Sequence, residues 1–242
     1  MANIKIGIVN SSTVLTDDEI IPAVAALQKQ VSNDFAPEWG IDADVVFFSG
    51  QQAPSGYWLV AIMDNSDAAN ALWYHDLTSE GLPIGKVFAK TDIDNGNSWT
   101  VTLSHEIMEM LADSDVNLIA DGGNGMLYAR EVGDPVEADN LGYQIDGILL
   151  SDFVYRAWFE GFRQPNSTRF SHKGNVSAPF QLAPGGYISV IKMGSEKWEQ
   201  IYARNFFTHA MRPKVGTRRE RRTINRKQWI RSTNNHNQKG AT

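Results

Sequence analysis

Apolar and polar positions alternate from the first residues: Met-Ala-Asn-Ile-Lys-Ile-Gly-Ile-Val-Asn has the period of a strand, and residues 4–9 read as a buried one. From about residue 20 to 35 the spacing becomes that of an amphipathic helix. Thr16-Asp17-Asp18-Glu19 in front of it has capping-box form, while Pro22 blurs where the helix begins. Residues 43–48 and 57–63 predict the next strands, separated by a loop over 50–56 that contains Pro54, and residues 85–89 predict another. A helix follows over about 101–113. Val101, Leu103, Ile107, Met110 and Leu111 form its apolar stripe, and Thr102, His105, Glu106, Glu109 and Asp113 a polar stripe on another face. Asn97 or Ser98 can cap its start. Beyond the Gly-rich 121–125 run, residues 126–130, 142–150, 187–193 and 198–202 predict strands, with turn signals at Asp146-Gly147 and Pro184-Gly185-Gly186. The expected class is α+β: a mixed twisted sheet backing the 101–113 helix, then a mostly β C-terminal part.

The polar stripe of that helix carries chemistry. Positions i and i+4 lie on one face, so His105 and Glu109 can share one cation, while Glu106 brings a carboxylate one residue from His105. A carboxylate in that place can take a proton from a metal-bound water. The competing reading is an ordinary amphipathic surface helix with an i,i+4 hydrogen bond between His105 and Glu109.

His105-Glu106-Ile107-Met108-Glu109 resembles the His-Glu-x-x-His motif of zincin metallopeptidases, with a glutamate where the second histidine stands in the family. Glu131-Val132-Gly133-Asp134-Pro135 begins twenty-six residues after His105 and resembles the later glutamate and aspartate of the gluzincin branch. The resemblance covers about residues 98–137. It implies a zincin-like core, a divalent metal held by His105, Glu109 and Glu131, and Asp134 as a hydrogen-bonding partner of His105. Glu106 becomes the catalytic base of a hydrolase acting on a peptide or protein substrate. Zinc is the expected metal, and the second carboxylate shifts preference toward Mn²⁺ or Ca²⁺. Asp113, one turn further along the helix, is a rival third ligand. His75 and Tyr143 are candidates for polarising a carbonyl or stabilising an oxyanion, as are Tyr155 and His172. His75-Asp76-Leu77-Thr78, the 104–113 stretch, 131–135 and Pro184-Gly185-Gly186-Tyr187 together also resemble bacterial and phage proteins of unassigned function.

Composition adds limits. The chain has 242 residues, 42% hydrophobic and 21% charged, enough for one sizeable core. It has no cysteine, which excludes disulfides, thiolate metal sites and a cysteine nucleophile. No run approaches the roughly eighteen apolar residues of a membrane span, and the first residues lack the pattern of a signal peptide, so a cytoplasmic or virion-associated protein is expected. The formal net charge of −6 hides two opposite parts. Residues 212–242 hold ten Lys and Arg against the single Glu220, and the preceding residues hold twelve basic against twenty-seven acidic. The expected organisation is a zincin-like domain over 1–211 and a basic arm over 212–242 that contacts nucleic acid or an acidic partner, with Trp229 available for stacking on a base. A zincin-like domain without activity, used for assembly, is the alternative function.

Overall fold

The computed structural model describes residues 4–50, 52–65, 73–78, 81–195 and 197–203, giving the backbone alone for 73–76. The basic arm expected at 212–242 lies outside the described residues. The architecture is α+β. In the first half, β1 (Ile4–Asn10) leads through α1 (Asp17–Lys29), a π-helical stretch (Gln30–Phe35) and α2 (Ala36–Trp39) to β2 (Ala43–Phe48). Then come β3 (Trp58–Met63), β4 (Trp73–Leu77), β5 (Pro83–Phe88), α3 (Ala89–Asp94) and α4 (Trp99–Ala112). These five strands form one sheet in the order β2-β1-β3-β5-β4, parallel except for β4, which runs antiparallel along β5.

The local chemistry explains the elements. The Thr16 backbone N–H donates to Glu19 Oε2 at 2.8 Å, which closes one side of the capping box at the start of α1. The central strand β3 reads Trp-Leu-Val-Ala-Ile-Met because both its faces are covered. On one side Val60 and Ile62 join Ile6, Ile8, Val87, Leu103, Ile107 and Met110 in the main core. On the other, Leu59, Ala61 and Met63 pack with Val9, Ile84 and Phe88. Gly85 lets α4 lie close to the sheet, since a Cβ there would stand 3.0 Å from Met110 Sδ.

The second half contains β6 (Ile119–Asp121), β7 (Met126–Ala129), β8 (Tyr143–Ile145), β9 (Ile148–Leu150), β10 (Tyr187–Lys192) and β11 (Trp198–Tyr202). β11, β10, β7 and β6 make an antiparallel sheet in that order, and β8 and β9 make a hairpin. Asp146 (φ 51°) and Gly147 (φ 82°) form the hairpin's two-residue turn, as the Asp-Gly pair predicts. Val132, Phe153, Ile188 and Val190 from this half belong to the same core as the α4 side chains, so α4 is enclosed between the two halves.

Several elements differ from the sequence reading, three of them short. β4 forms where no strand is expected, α3 opens at Ala89 and so ends the preceding strand at Phe88, and β6 precedes the Gly-rich run. Each is between three and six residues long. Pieces that short show little periodicity, and their pairing partners supply most of their stability. Among the described residues no helix is long and apolar enough to cross a membrane.

Candidate metal centre

α4 starts from Ser98, whose backbone N–H donates to Asp139 Oδ2 at 2.6 Å. Its N-terminal half is fastened to the second half of the chain by polar contacts. Thr100 Oγ1 donates to the Leu149 carbonyl at 2.6 Å, and Ser104 Oγ accepts from the Ser151 N–H at 2.7 Å. Every residue from Thr100 to Ala112 is buried, including His105, Glu106 and Glu109. The stripe that resembled a solvated helix face is an interior one.

His105 Nε2 lies 2.9 Å from Glu109 Oε1 and 3.3 Å from Asp134 Oδ1. The three residues are 1%, 3% and 2% exposed. One ligand atom from each lies within 4.8 Å of the others. Asp134 opens a 3-10 turn (Asp134–Val136), and the turn is held against α4 from several sides. The N–H groups of Gly133 and Asp134 donate to Glu109 Oε1 at 3.2 and 3.3 Å. Gly133 rests on the imidazole so closely that a Cβ there would fall 2.5 Å from His105 Nδ1. The Tyr187 hydroxyl, from the first residue of β10, donates to Asp134 Oδ1.

Burial opposes a charge on His105, but Glu109 and Asp134 outweigh it, and the ring's pKa is held well above the ordinary histidine range. Without a metal, a proton on this ring stands between two carboxylates. The donor set fits a divalent ion: a tetrahedron with bonds of about 2.1 Å has edges of about 3.4 Å, close to the separations across His105. The three side chains sum to −1 with a protonated ring and −2 with a neutral one. A divalent cation in place of the proton brings the sum to zero, which a low-dielectric interior favours.

The other expected residues fall into different places. Glu131 is half-buried and does not belong to the three-residue group, which Asp134, expected as a partner of His105, joins instead. The backbone turns between the two positions, and the contacts of Gly133 and Tyr187 carry Asp134, three residues later, onto His105. Asp113 caps the end of α4, its carboxylate accepting from the N–H groups of Asn117 (3.0 Å) and Leu118 (2.8 Å). Glu106 is fully buried on the same helix. His75 pairs through its backbone with Gly85, and its side chain lies outside the described residues.

Tyr143 belongs to a separate polar cluster. Its hydroxyl donates to Asp34 Oδ2 at 2.7 Å and accepts from Gln30 Nε2 at 3.1 Å, both residues of the π-helical stretch. Its ring stacks on His172, which also stacks on Phe153 and approaches the Tyr155 hydroxyl at 3.3 Å. Burial, then the acceptor Asp34, raises the Tyr143 pKa, so its hydroxyl is a neutral donor committed to that carboxylate. The sequence flagged Tyr143, Tyr155 and His172 separately; the fold gathers them around Asp34.

Comparison of the chain with protein-family models, with curated proteins and with solved structures finds no match. The buried His105, Glu109 and Asp134 group, able to hold a metal ion, is therefore the firmest functional statement the molecule supports.

Proposed function

We propose that this protein binds one divalent metal ion through His105, Glu109 and Asp134 and is a metal-dependent hydrolase of zincin type acting on a peptide or protein substrate. The observation that carries the reading is the convergence of three ligand atoms in a buried pocket of charge. Glu106, adjacent in sequence to His105 and not among the three, supports it. So does the mixed sheet that backs α4, in keeping with the mixed sheet the resemblance implies. When bound, the ion supplies Lewis acidity toward a carbonyl and lowers the pKa of water. His105, Glu109 and Asp134 would hold the ion, and Glu106 would take a proton from the attacking water and pass it to the leaving amine. Zinc is the first choice of metal, and the two carboxylates leave room for Mn²⁺.

A second reading has its own observation. All three ligands and Glu106 are almost fully buried, and closed sites are characteristic of structural metals. On that reading the domain is inactive and serves assembly. The basic residues of 212–242 would then contact nucleic acid or neighbouring subunits, with an affinity that falls steeply as salt is added.

Glu106→Gln separates the two. Metal analysis of wild type and variant should give about one ion per chain in both. Hydrolysis of a peptide library by wild type should be abolished by chelator and restored by metal, and should fall by roughly 10²-fold or more in the variant, the usual worth of a general base. Metal bound at full occupancy with no hydrolysis by wild type across varied substrates would favour the structural reading. Absence of metal after growth with Zn²⁺ and Mn²⁺ would remove both.

A further inference from the structure

The Pro184-Gly185-Gly186-Tyr187 segment has no part in the hydrolase reading, yet it touches the metal loop. We propose that Tyr187 is the positioning residue that fixes Asp134 as third ligand, so that the affinity of a site built on α4 is set from the second sheet. The inference rests on the metal-binding reading above. Tyr187 and Asp134 are both buried, and the phenol donates to Oδ1. That is the same oxygen that lies 3.3 Å from His105 Nε2 and so the one offered to the ion. The donated bond selects one rotamer of a short side chain and leaves the oxygen a further lone pair for a cation.

The backbone around Tyr187 has little freedom to move independently of the metal loop. A Cβ on Gly186 would fall 2.2 Å from the Pro135 carbonyl oxygen, so only glycine permits that approach. Ala183 N–H donates to the same carbonyl at 3.0 Å. On its other side, Gly186 accepts from Ala203 N–H at 2.9 Å, beyond the end of β11. The start of β10 and the Asp134 turn thus form one packed unit. His105 and Glu109, by contrast, come from a single helix and need no help from the second sheet to face each other. Tyr187 decides whether two ligands become three.

The test uses the full chain. Zn²⁺ and Mn²⁺ affinities are measured by competition with a chromophoric chelator for wild type, Tyr187→Phe and Tyr202→Phe. Tyr202 is a suitable control because its ring lies 5.7 Å from that of Tyr187 while its own hydroxyl donates to Gln200. Tyr187→Phe should weaken both metals by about 10- to 100-fold, the usual effect of losing a partner that orients a ligand. Tyr202→Phe should stay within about twofold. In ¹³C-tyrosine-labelled wild type, the Cζ resonance of Tyr187 should move when Zn²⁺ is added and that of Tyr202 should not, a measurement that holds even if Tyr187→Phe fails to fold. Wild-type affinity in Tyr187→Phe, equal losses in both variants, or an unmoved Tyr187 resonance would overturn the inference while leaving the metal site standing. Failure of wild type to bind either metal would remove the site and the inference together.

Discussion

Substituting Gly133 with alanine perturbs the centre by one methyl group without changing any ligand. Gly133 has φ −90° and ψ −37°, a conformation alanine adopts freely, so the backbone itself carries no penalty. The side chain does. Its Cβ would lie 2.5, 2.7 and 2.8 Å from Nδ1, Cε1 and Cγ of His105, against the 3.4 Å or more of ordinary contact. The ring, which cannot fold away as a flexible chain could, must retreat by roughly 1 Å or push the turn outward. Either motion stretches the 2.9 and 3.3 Å contacts to Glu109 and Asp134. Overpacking of this kind costs about 1–3 kcal/mol, partly offset by the lower entropy of the unfolded alanine chain. For a protein of this size that corresponds to a fall in Tm of about 2–12 °C. Metal affinity should fall by about tenfold or more as the ligands separate. Thermal unfolding followed by circular dichroism in the presence of chelator gives the first quantity, and chelator competition gives the second. A cycle with His105→Ala isolates the clash, because with the ring gone Gly133→Ala should be close to neutral. A Gly133→Ala protein that melts within about 1 °C of wild type and binds metal unchanged would show that the 133–136 turn does not clamp the imidazole.

Other perturbations follow from the same contacts. Asp134→Ala should abolish metal retention while Glu131→Ala keeps it, which plasma emission analysis of the purified variants can decide. Asp113→Ala should cost about 1–3 kcal/mol in urea unfolding because the Asn117 and Leu118 amides lose their acceptor, yet leave metal content intact; loss of metal there would restore Asp113 as a ligand. The raised pKa of His105 means that its protonated ring stabilises the metal-free fold. That contribution is complete below the unfolded value of about 6.5 and lost as pH rises through the folded value. Urea midpoints in chelator should therefore drop from pH 6 to pH 9 more in wild type than in His105→Gln, while metal affinity rises over the same range. Burial pushes the Asp92 carboxyl up to about 8; the Thr102 hydroxyl pulls it down in part, and the nearby Asp139 adds a smaller upward push. A raised carboxyl pKa costs stability as pH climbs from the unfolded value toward 8, so Asp92→Asn should flatten that decline in unfolding titrations between pH 4 and 8.

Much of the fold was legible where its signals are local. Ile4, Ile6 and Ile8 alternate into one face of a strand, Thr16 and Glu19 close a cap three residues apart, and Asp146-Gly147 specifies a two-residue hairpin turn. His105 and Glu109 share a helix face by the 3.6-residue period alone, and the structure sets them 2.9 Å apart. β4 and α3 carry little local signal because the reasons for them lie elsewhere: β4 is completed by its pairing with β5, and α3 fills the gap between the end of β5 and the cap of α4. The burial of α4 on its polar side was equally out of reach. A helix carrying Thr102, His105, Glu106, Glu109 and Asp113 along one stripe resembles a surface helix until a second layer is laid over it.

The sequence by itself determined the two candidate ligand side chains that one helical turn brings together, the α+β order of elements and the absence of any thiolate alternative, since each depends on composition or on spacings of a few residues. Only the tertiary structure decided which acidic residue joins them in the buried group. Glu131 and Asp134 are both acidic and both follow α4 at plausible distances, so no local rule ranks them. The choice is made by Gly133 lying on the His105 ring and by Tyr187 reaching Asp134 from 53 residues away, contacts that exist only once the second sheet has closed over α4.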